Sequence, residues 1–507
     1  MKINNHIPFP KGLLLTFLAA VLAIAGVSVS LIKFQPYNSD TLYMLDFFSS
    51  LKAGNLGSFQ YSHLPDFIPG AIIIVPLLAA GVPWKFAYAI YSSMMFFAFA
   101  LSILYIYYAI SPKKFATCFY LFIMFSTVIV LVASADHLQI LVVGVHGGSF
   151  VISVLCAVAS WLFLSRASPT GWLLLAAVAV VTCLATLSDV LFFFEFVAPV
   201  VATSLGMVLL RSLPLSKTII FNLAILSASL AGKVALSYLP VSSFPPSSLQ
   251  ELLDNSSRFI HSLQPSFIII YFLPFLVLSL WFCAALFFAD ESYSNSRRNS
   301  GGPLHSAAWV YFWTFGLVAS IAALGVTVCA YVDGGSFRYA LAFFWWPPIL
   351  GITLLASLAS RLPYLAPIAA AVSLVILLVA GLPSRPMFWA RALANCLEEK
   401  SQTIPLHAGL AEYWIARPLT VFSEGKFTVS QVLKDGQPYV HINSIIDYSV
   451  LNYNFVILDE LDVDKVFSNF GQPERILECD AFRIAQYKDS SGIRSKMEQW
   501  SEGLTIN

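Results

Sequence analysis

Charge is scarce in this sequence. Asp, Glu, Lys and Arg make up 11% of its 507 residues, against about 25% in a soluble domain. What charge there is nearly cancels, leaving +1, and no basic face is clustered. That excludes the electrostatic footprint of nucleic-acid binding. Cysteine is scarce too: there are seven, with no Cys-x-x-Cys and no Cys/His cluster, which argues against a structural zinc site. Cys118, Cys156, Cys183, Cys283 and Cys329 fall in or beside apolar stretches and read as packing residues. Cys396 and Cys479 lie in a polar tail. An oxidising compartment would join them, and a reducing one would leave two thiols.

Hydrophobic residues take up the room that charge leaves, at 58% of the chain. A helix crosses a bilayer with about 20 apolar residues. Eleven segments qualify: 12–32, 86–110, 115–134, 149–165, 171–188, 190–210, 218–239, 265–289, 306–330, 338–358 and 363–382. The first is longer than the core of a signal peptide, about 7–15 residues, and reads as an uncleaved span. Ile68–Leu78 is apolar but short, interrupted by Pro69 and Pro76, and reads as an interfacial helix. With that segment left out, Lys2, Lys11, Lys113, Lys114, Arg166, Arg211, Lys217, Arg297, Arg298 and Arg361 fall in alternate loops, which the positive-inside rule places in the cytoplasm. The expectation is a polytopic α-helical membrane domain over 1–383, N-terminus inside, and a soluble α/β domain over 384–507 outside.

This topology gathers the polar chemistry on the outer side. The first outer loop, 33–85, contains Asp40, Asp46, His63 and Asp66. Asn38 or Ser39 can cap a helix there, with Asp40 favouring its positive end. Asp40 can equally serve as a general base at the water–lipid boundary. It shares a helix face with Tyr43, Phe47 and Leu51, while Asp46 points elsewhere and stays solvated. His63 and Asp66 either contact a substrate or form a polar turn. Asp136, His137 and His146 could hold a divalent metal, contact a sugar or phosphate beside Gly147 and Gly148, or simply line an interfacial loop. Lys233 lies within an apolar span, where a cation is a functional candidate unless it snorkels. Together with Arg258 and Arg338 it could bind a lipid-linked phosphate; Arg338 could instead pair with Asp333. The Trp345-Trp346-Pro347-Pro348 run is a candidate for shaping a groove for an isoprenoid chain.

The tail alternates helix and strand signals. Met387–Lys400 has helical spacing, and Tyr453–Leu458, Arg475–Glu478 and Phe482–Tyr487 are rich in strand formers. The acidic run from Asp459 to Asp464 lacks the glycine and the final glutamate of an EF-hand loop and reads as a helix start. No catalytic constellation is visible in the tail.

The acidic first outer loop, with Ser39-Asp40 followed by His63-Leu64-Pro65-Asp66, a non-spanning apolar helix, eleven spans and an outward tail together resemble the GT-C superfamily of polyprenyl-phosphate-sugar-dependent glycosyltransferases, near the protein mannosyltransferase and aminoarabinose transferase branch. The run Gly409-Leu410-Ala411-Glu412-Tyr413-Trp414 is similar to tails of bacterial relatives. Thr41 follows Asp40 where protein mannosyltransferases have Glu, and Leu64-Pro65 stands where they have Pro-Pro. The resemblance implies an inverting glycosyltransferase of the bacterial inner membrane. It implies Asp40 as general base, His63, Asp66, Asp136, His137 and His146 around the acceptor and sugar, and Lys233, Arg258 and Arg338 at the donor phosphate. The partners implied are a polyprenyl-phosphate-linked sugar, membrane lipids and a glycan, lipid or protein acceptor, with a divalent metal as an optional cofactor. The competing readings are a glycolipid or solute transporter and a non-catalytic scaffold of envelope assembly.

Overall fold

The computed structural model describes residues 37–62, 64–110, 114–132, 143, 146–165, 170–241, 248–263, 272–282, 303–332, 334–359, 372, 388–488 and 491–503. The expected spans 12–32 and 363–382 lie outside these residues, as do His63, Asp136, His137 and Asp333.

Among the described residues, six helices are long and apolar enough to cross a membrane. They correspond to α3 (Trp84–Ile110), α5 (Gly147–Ser165), α6 (Thr170–Ser188), α8 (Leu215–Leu236), α10 (Pro303–Cys329) and α11 (Leu341–Ala359). Four more apolar helical stretches of 10–17 residues occur among the described residues: Phe67–Ala79, Phe115–Met124, Phe193–Leu209 and Leu273–Phe282. The first contains α2 (Ile72–Ala79), the second is the start of α4 (Phe115–Val132), and the third contains α7 (Ala198–Leu209). The expected span 190–210 is helical over Phe193–Leu209, with its first turn, Phe193–Val197, wound as a π-helix. Ile68–Leu78 is helical and short, as its prolines suggest. Pro76 stays inside α2.

These helices pack through aromatic and small side chains rather than charge, as expected where lipid supplies no hydrophobic drive. Leu223, Leu226 and Leu230 on α8 face outward, whereas Trp313, Trp346, Tyr91 and Tyr107 are fully enclosed. Trp345 and Trp346 point into this core. Trp346 meets Phe315 at 5.3 Å and Trp345 meets Phe99 at 5.2 Å between ring centroids. They are packing residues and not walls of an isoprenoid groove.

The tail folds as a three-layer α/β unit. Its five strands are β1 (Ala408–Glu412), β2 (Thr428–Val432), β3 (Tyr453–Ile457), β4 (Arg475–Cys479) and β5 (Phe482–Gln486), in the spatial order β2-β1-β3-β5-β4. The first three are parallel and the last two pairings antiparallel. One face is covered by α12 (Phe388–Ser401) and α13 (Tyr413–Phe422), through Leu393, Leu397, Ile415 and Leu419. The other face is covered by α14 (Val463–Phe470) and α15 (Ser491–Glu502), through Val466, Phe470, Ile493 and Met497. The acidic run does start a helix: Asp462 caps α14. Cys396 and Cys479 form a disulfide that ties α12 to the end of β4.

The first loop joins the two units. Its helix α1 (Ser39–Lys52) is capped by Asn38, whose side chain accepts the Thr41 N–H while the Thr41 hydroxyl accepts the Asn38 N–H. Beyond α1, Gln60 donates to the Asn443 carbonyl of the tail at 2.9 Å and Tyr61 to the Pro240 carbonyl at 2.9 Å. A further backbone bond runs from Ile445 to Ser58. The loop is therefore stitched to the tail and to the end of the α8 segment.

Candidate active site

A cleft of about 310 Å³ opens where the first loop, the helix ends and the tail meet. Small-molecule sites span about 300–1,000 Å³. Asp40, Tyr43 and Asp66 come from the loop, His146, Asp189 and Arg338 from the helix ends, and Glu412, Tyr413, Trp414, Tyr439 and His441 from the tail.

Asp40 sits in the first turn of α1. One of its oxygens accepts from Arg338 at 3.2 Å and the other from the Tyr413 hydroxyl at 2.5 Å. Arg338 thus pairs with Asp40; the other candidate partner, Asp333, lies outside the described residues. It stands in a 3₁₀ stretch, Gly334–Ala340, just before α11, which aims it into the cleft. A second nitrogen of Arg338 donates to the Tyr339 hydroxyl at 3.2 Å. Its Nε is buried and has no partner among the described residues.

Tyr413 is fixed by its place in the sequence, where β1 ends and α13 begins. Glu412 caps that helix by accepting the Trp414 N–H at 2.7 Å. The Ser39 hydroxyl donates to the Tyr413 carbonyl. Burial, and then the Asp40 charge, push the Tyr413 phenol pKa well above its usual value, so this group is a donor over the working range. Burial also raises the Glu412 carboxyl and the Tyr439 phenol.

Asp46 is partly solvated, with 35% of its side chain exposed, and it is also paired. Its carboxylate accepts from Arg417 Nε at 2.5 Å. Arg417 also donates to the carbonyls of Ser39 and Ile442 and is 3% exposed. This buried arginine bolts α13 to α1, so the carboxylate facing the cleft and the one fixing the dock share a helix.

Asp66 lines the cleft in a left-handed conformation, φ 44°. Its N–H donates to the Ser188 carbonyl at 3.1 Å, and the Ile68 N–H to the Ser188 hydroxyl at 2.9 Å. These bonds seat the loop on the end of α6. Its carboxylate lies over Gly70, where a Cβ would come within 2.2 Å of Oδ2.

Of the expected metal set, Asp136 and His137 lie outside the described residues, and His146 pairs with an aspartate. Its Nδ1 is 2.8 Å from Asp189 Oδ2, with both side chains buried. Among the described residues no three His, Cys, Asp or Glu side chains converge in a way that could hold a metal ion. Gly148 serves packing and not ligand approach: a Cβ there would meet Tyr91 Oη at 2.5 Å and the Pro69 ring at 2.6 Å.

Two predicted phosphate ligands lie elsewhere. Lys233 is exposed in the last turn of α8 and does not line the cleft. Arg258, on α9 (Leu249–Ser262), is exposed and donates to Asn255 at 2.8 Å. Asn255 in turn holds the Cys329 carbonyl at the end of α10 at 2.8 Å. Of the three predicted cations, Arg338 reaches the cleft. The tail, in which no constellation was expected, supplies much of one wall. A signal existed: Arg417 sits between Ile415-Ala416 and Pro418-Leu419, and a cation among apolar neighbours asks for a buried partner.

Comparison with protein-family models, with curated proteins and with solved structures finds no match to this chain.

Proposed function

We propose that this protein is a membrane glycosyltransferase that moves a sugar from a polyprenyl-phosphate donor to a hydroxyl acceptor, with Asp40 as general base. The observation that carries the reading is the Asp40–Arg338 pair in an open cleft at the ends of apolar helices. It sets a proton acceptor beside a fixed cation. The acceptor hydroxyl gives its proton to Asp40 and its oxygen attacks the anomeric carbon. The bond from that carbon to the phosphate oxygen breaks with inversion, and polyprenyl phosphate leaves as an anion that the guanidinium stabilises. No nucleotide takes part. Eleven spans, a cytoplasmic N-terminus and an extracytoplasmic tail in a bacterial inner membrane belong to the same proposal, supported by the Lys and Arg distribution.

The test is a transfer assay in membranes, with radiolabelled polyprenyl-phosphate sugars and endogenous acceptors, comparing wild type with Asp40→Asn at matched expression. Product from wild type alone is the expected result. Equal product from both removes Asp40 from the mechanism. No product from either, across several donors, removes the transferase reading.

A further inference from the structure

The cleft holds one charged pair that the mechanism above does not use. His146 Nδ1 meets Asp189 Oδ2 at 2.8 Å, and the side chains are 6% and 8% exposed. The other oxygen, Oδ1, accepts the Leu191 N–H at 2.9 Å. An ionised carboxylate can only accept, so Nδ1 carries the proton and Nε2 is the corner of the ring left over. Among the described residues Nε2 has no hydrogen-bond partner, and His146 lines the cleft. A buried carboxylate is an expensive way to hold a ring still, and Nε2 is the ring nitrogen it leaves over.

Arg338 has the same unfinished character. It spends one nitrogen on Asp40 and one on Tyr339, and its buried Nε–H has no partner. The two residues are neighbours through one ring: the His146 imidazole packs on Tyr339 with centroids 5.0 Å apart, and Tyr339 accepts from Arg338. Arg338 has an N–H in reserve, and the His146 ring has one at Nε2 when it carries both protons; spaced by a tyrosine, the two then suit an oxyanion with several acceptor oxygens. A neutral imidazole whose Nδ1 holds the proton accepts at Nε2, and only the doubly protonated ring donates there. The charged and titratable groups around it are Asp189 itself, Glu195 buried in the next turn near Asp189, Tyr339 and Arg338 before α11, and Asp66 across the cleft.

We infer that His146, oriented by Asp189, is the second ligand of the donor phosphate, acting with Arg338. The cleft then has an anion side, His146 and Arg338, and a base side, Asp40. This inference rests on the glycosyltransferase reading. In it Asp189 is a positioning residue, since its oxygens are occupied by His146 and Leu191.

The test is binding by the full-length protein in nanodiscs, with farnesyl phosphate as probe and farnesol as its uncharged control. Wild type is expected to prefer the phosphate. His146→Ala should weaken farnesyl phosphate about tenfold, the size of one lost charge-assisted hydrogen bond, and leave farnesol unchanged. Asp189→Asn should move the same ratio in the same direction by less. His146→Gln, which keeps an N–H donor, should recover part of the loss. A merely structural role would weaken both ligands alike, and that result overturns the inference. If the His146 and Asp189 variants bind farnesyl phosphate as wild type does while Arg338→Gln loses it, the inference falls and the donor reading stands. If wild type shows no preference for the phosphate, both fall.

Discussion

Two arginine–aspartate pairs flank one helix, and they are built to opposite rules. Arg417 and Asp46 meet at 2.5 Å, and Arg417 spends its remaining nitrogens on the Ser39 and Ile442 carbonyls. It is 3% exposed, and every nitrogen is used. Arg338 and Asp40 meet at 3.2 Å, with 35% and 21% of their side chains exposed, and Arg338 Nε is left over. The first pair joins two units, and its arginine has nothing to offer a ligand. The second lines a cleft and keeps bonding capacity in reserve. A buried polar group left unsatisfied is uncommon, so such reserve beside an opening marks the place where a ligand completes the set. The comparison therefore sorts the carboxylates of α1 by what their partners have left over and not by charge or position.

The comparison breaks first at the cleft. Arg338→Gln removes the charge and leaves a shorter polar side chain. Transfer should fall by about 10²–10³-fold, the range for losing a donor that stabilises developing negative charge, while the unfolding free energy moves by no more than ~1 kcal/mol, as for a partly exposed pair. Activity in the membrane assay and unfolding in detergent are read on the same preparation. A loss of stability as large as the loss of activity would make Arg338 a second bolt and end the distinction.

The opposite pattern is expected at the saturated pair. Arg417→Met leaves the partly exposed Asp46 carboxylate and the Ser39 and Ile442 carbonyls without their buried partner, and should destabilise the docked tail by about 1–3 kcal/mol. Hydrogen exchange at α13 and at Ser58–Tyr61 reads the undocking directly. Adding Asp46→Leu removes the unpaired charge and should recover part of that loss. A third variant separates the tail's own stability from its docking. Cys396→Ser with Cys479→Ser should cost the tail about 2–4 kcal/mol and leave transfer untouched, since the disulfide joins α12 to β4 away from the cleft. A fall in transfer without a fall in tail stability would show that the tail's internal order reaches Asp40.

How much of this was legible beforehand follows from how local each signal is. Apolar periodicity places most helices, because hydropathy needs no partner to be read. The Asn38 cap and the Asp462 helix start are readable for the same reason: both bonds close within three residues. Three of the five strands carry β-branched and aromatic residues and are found. The two others, Ala-Gly-Leu-Ala-Glu and Thr-Val-Ser-Gln-Val, are missed. Parallel strands covered on both faces need not alternate, and Gly409 lies where a Cβ would meet the Phe455 ring at 2.1 Å, so small residues are required there. The site is the least legible part. Asp40 is visible as a carboxylate in an outer loop. Its partners are 298 and 373 residues away, and the His146–Asp189 pair is 43 apart. Nothing in composition or spacing joins those positions, and cations picked for being unusual, Lys233 and Arg258, turn out to sit on outward surfaces.

The smallest effect is at the one side chain the two regions share. Tyr413 begins the helix that Arg417 bolts down, yet its hydroxyl donates to the cleft carboxylate Asp40 at 2.5 Å. Tyr413→Phe removes that hydroxyl and keeps the ring against Tyr439 and His441. The loss should be about 1.5 kcal/mol, the lower end for a hydrogen bond to a charged group. Its pH dependence gives the sign. Burial first, and the Asp40 charge second, raise the folded phenol's pKa above the ordinary 10.0. The folded state thus holds this proton more tightly than the unfolded chain, and the contribution is fully present below about pH 10 and fades as pH rises beyond it. The difference in unfolding free energy between wild type and Tyr413→Phe should be flat from neutral pH to about pH 9 and shrink above that. A difference that instead grows with pH would mean that Tyr413 enters the cleft as a phenolate. In that case Asp40 would be sharing its cation with a second anion, and the cleft pair would be as saturated as the one that holds the dock.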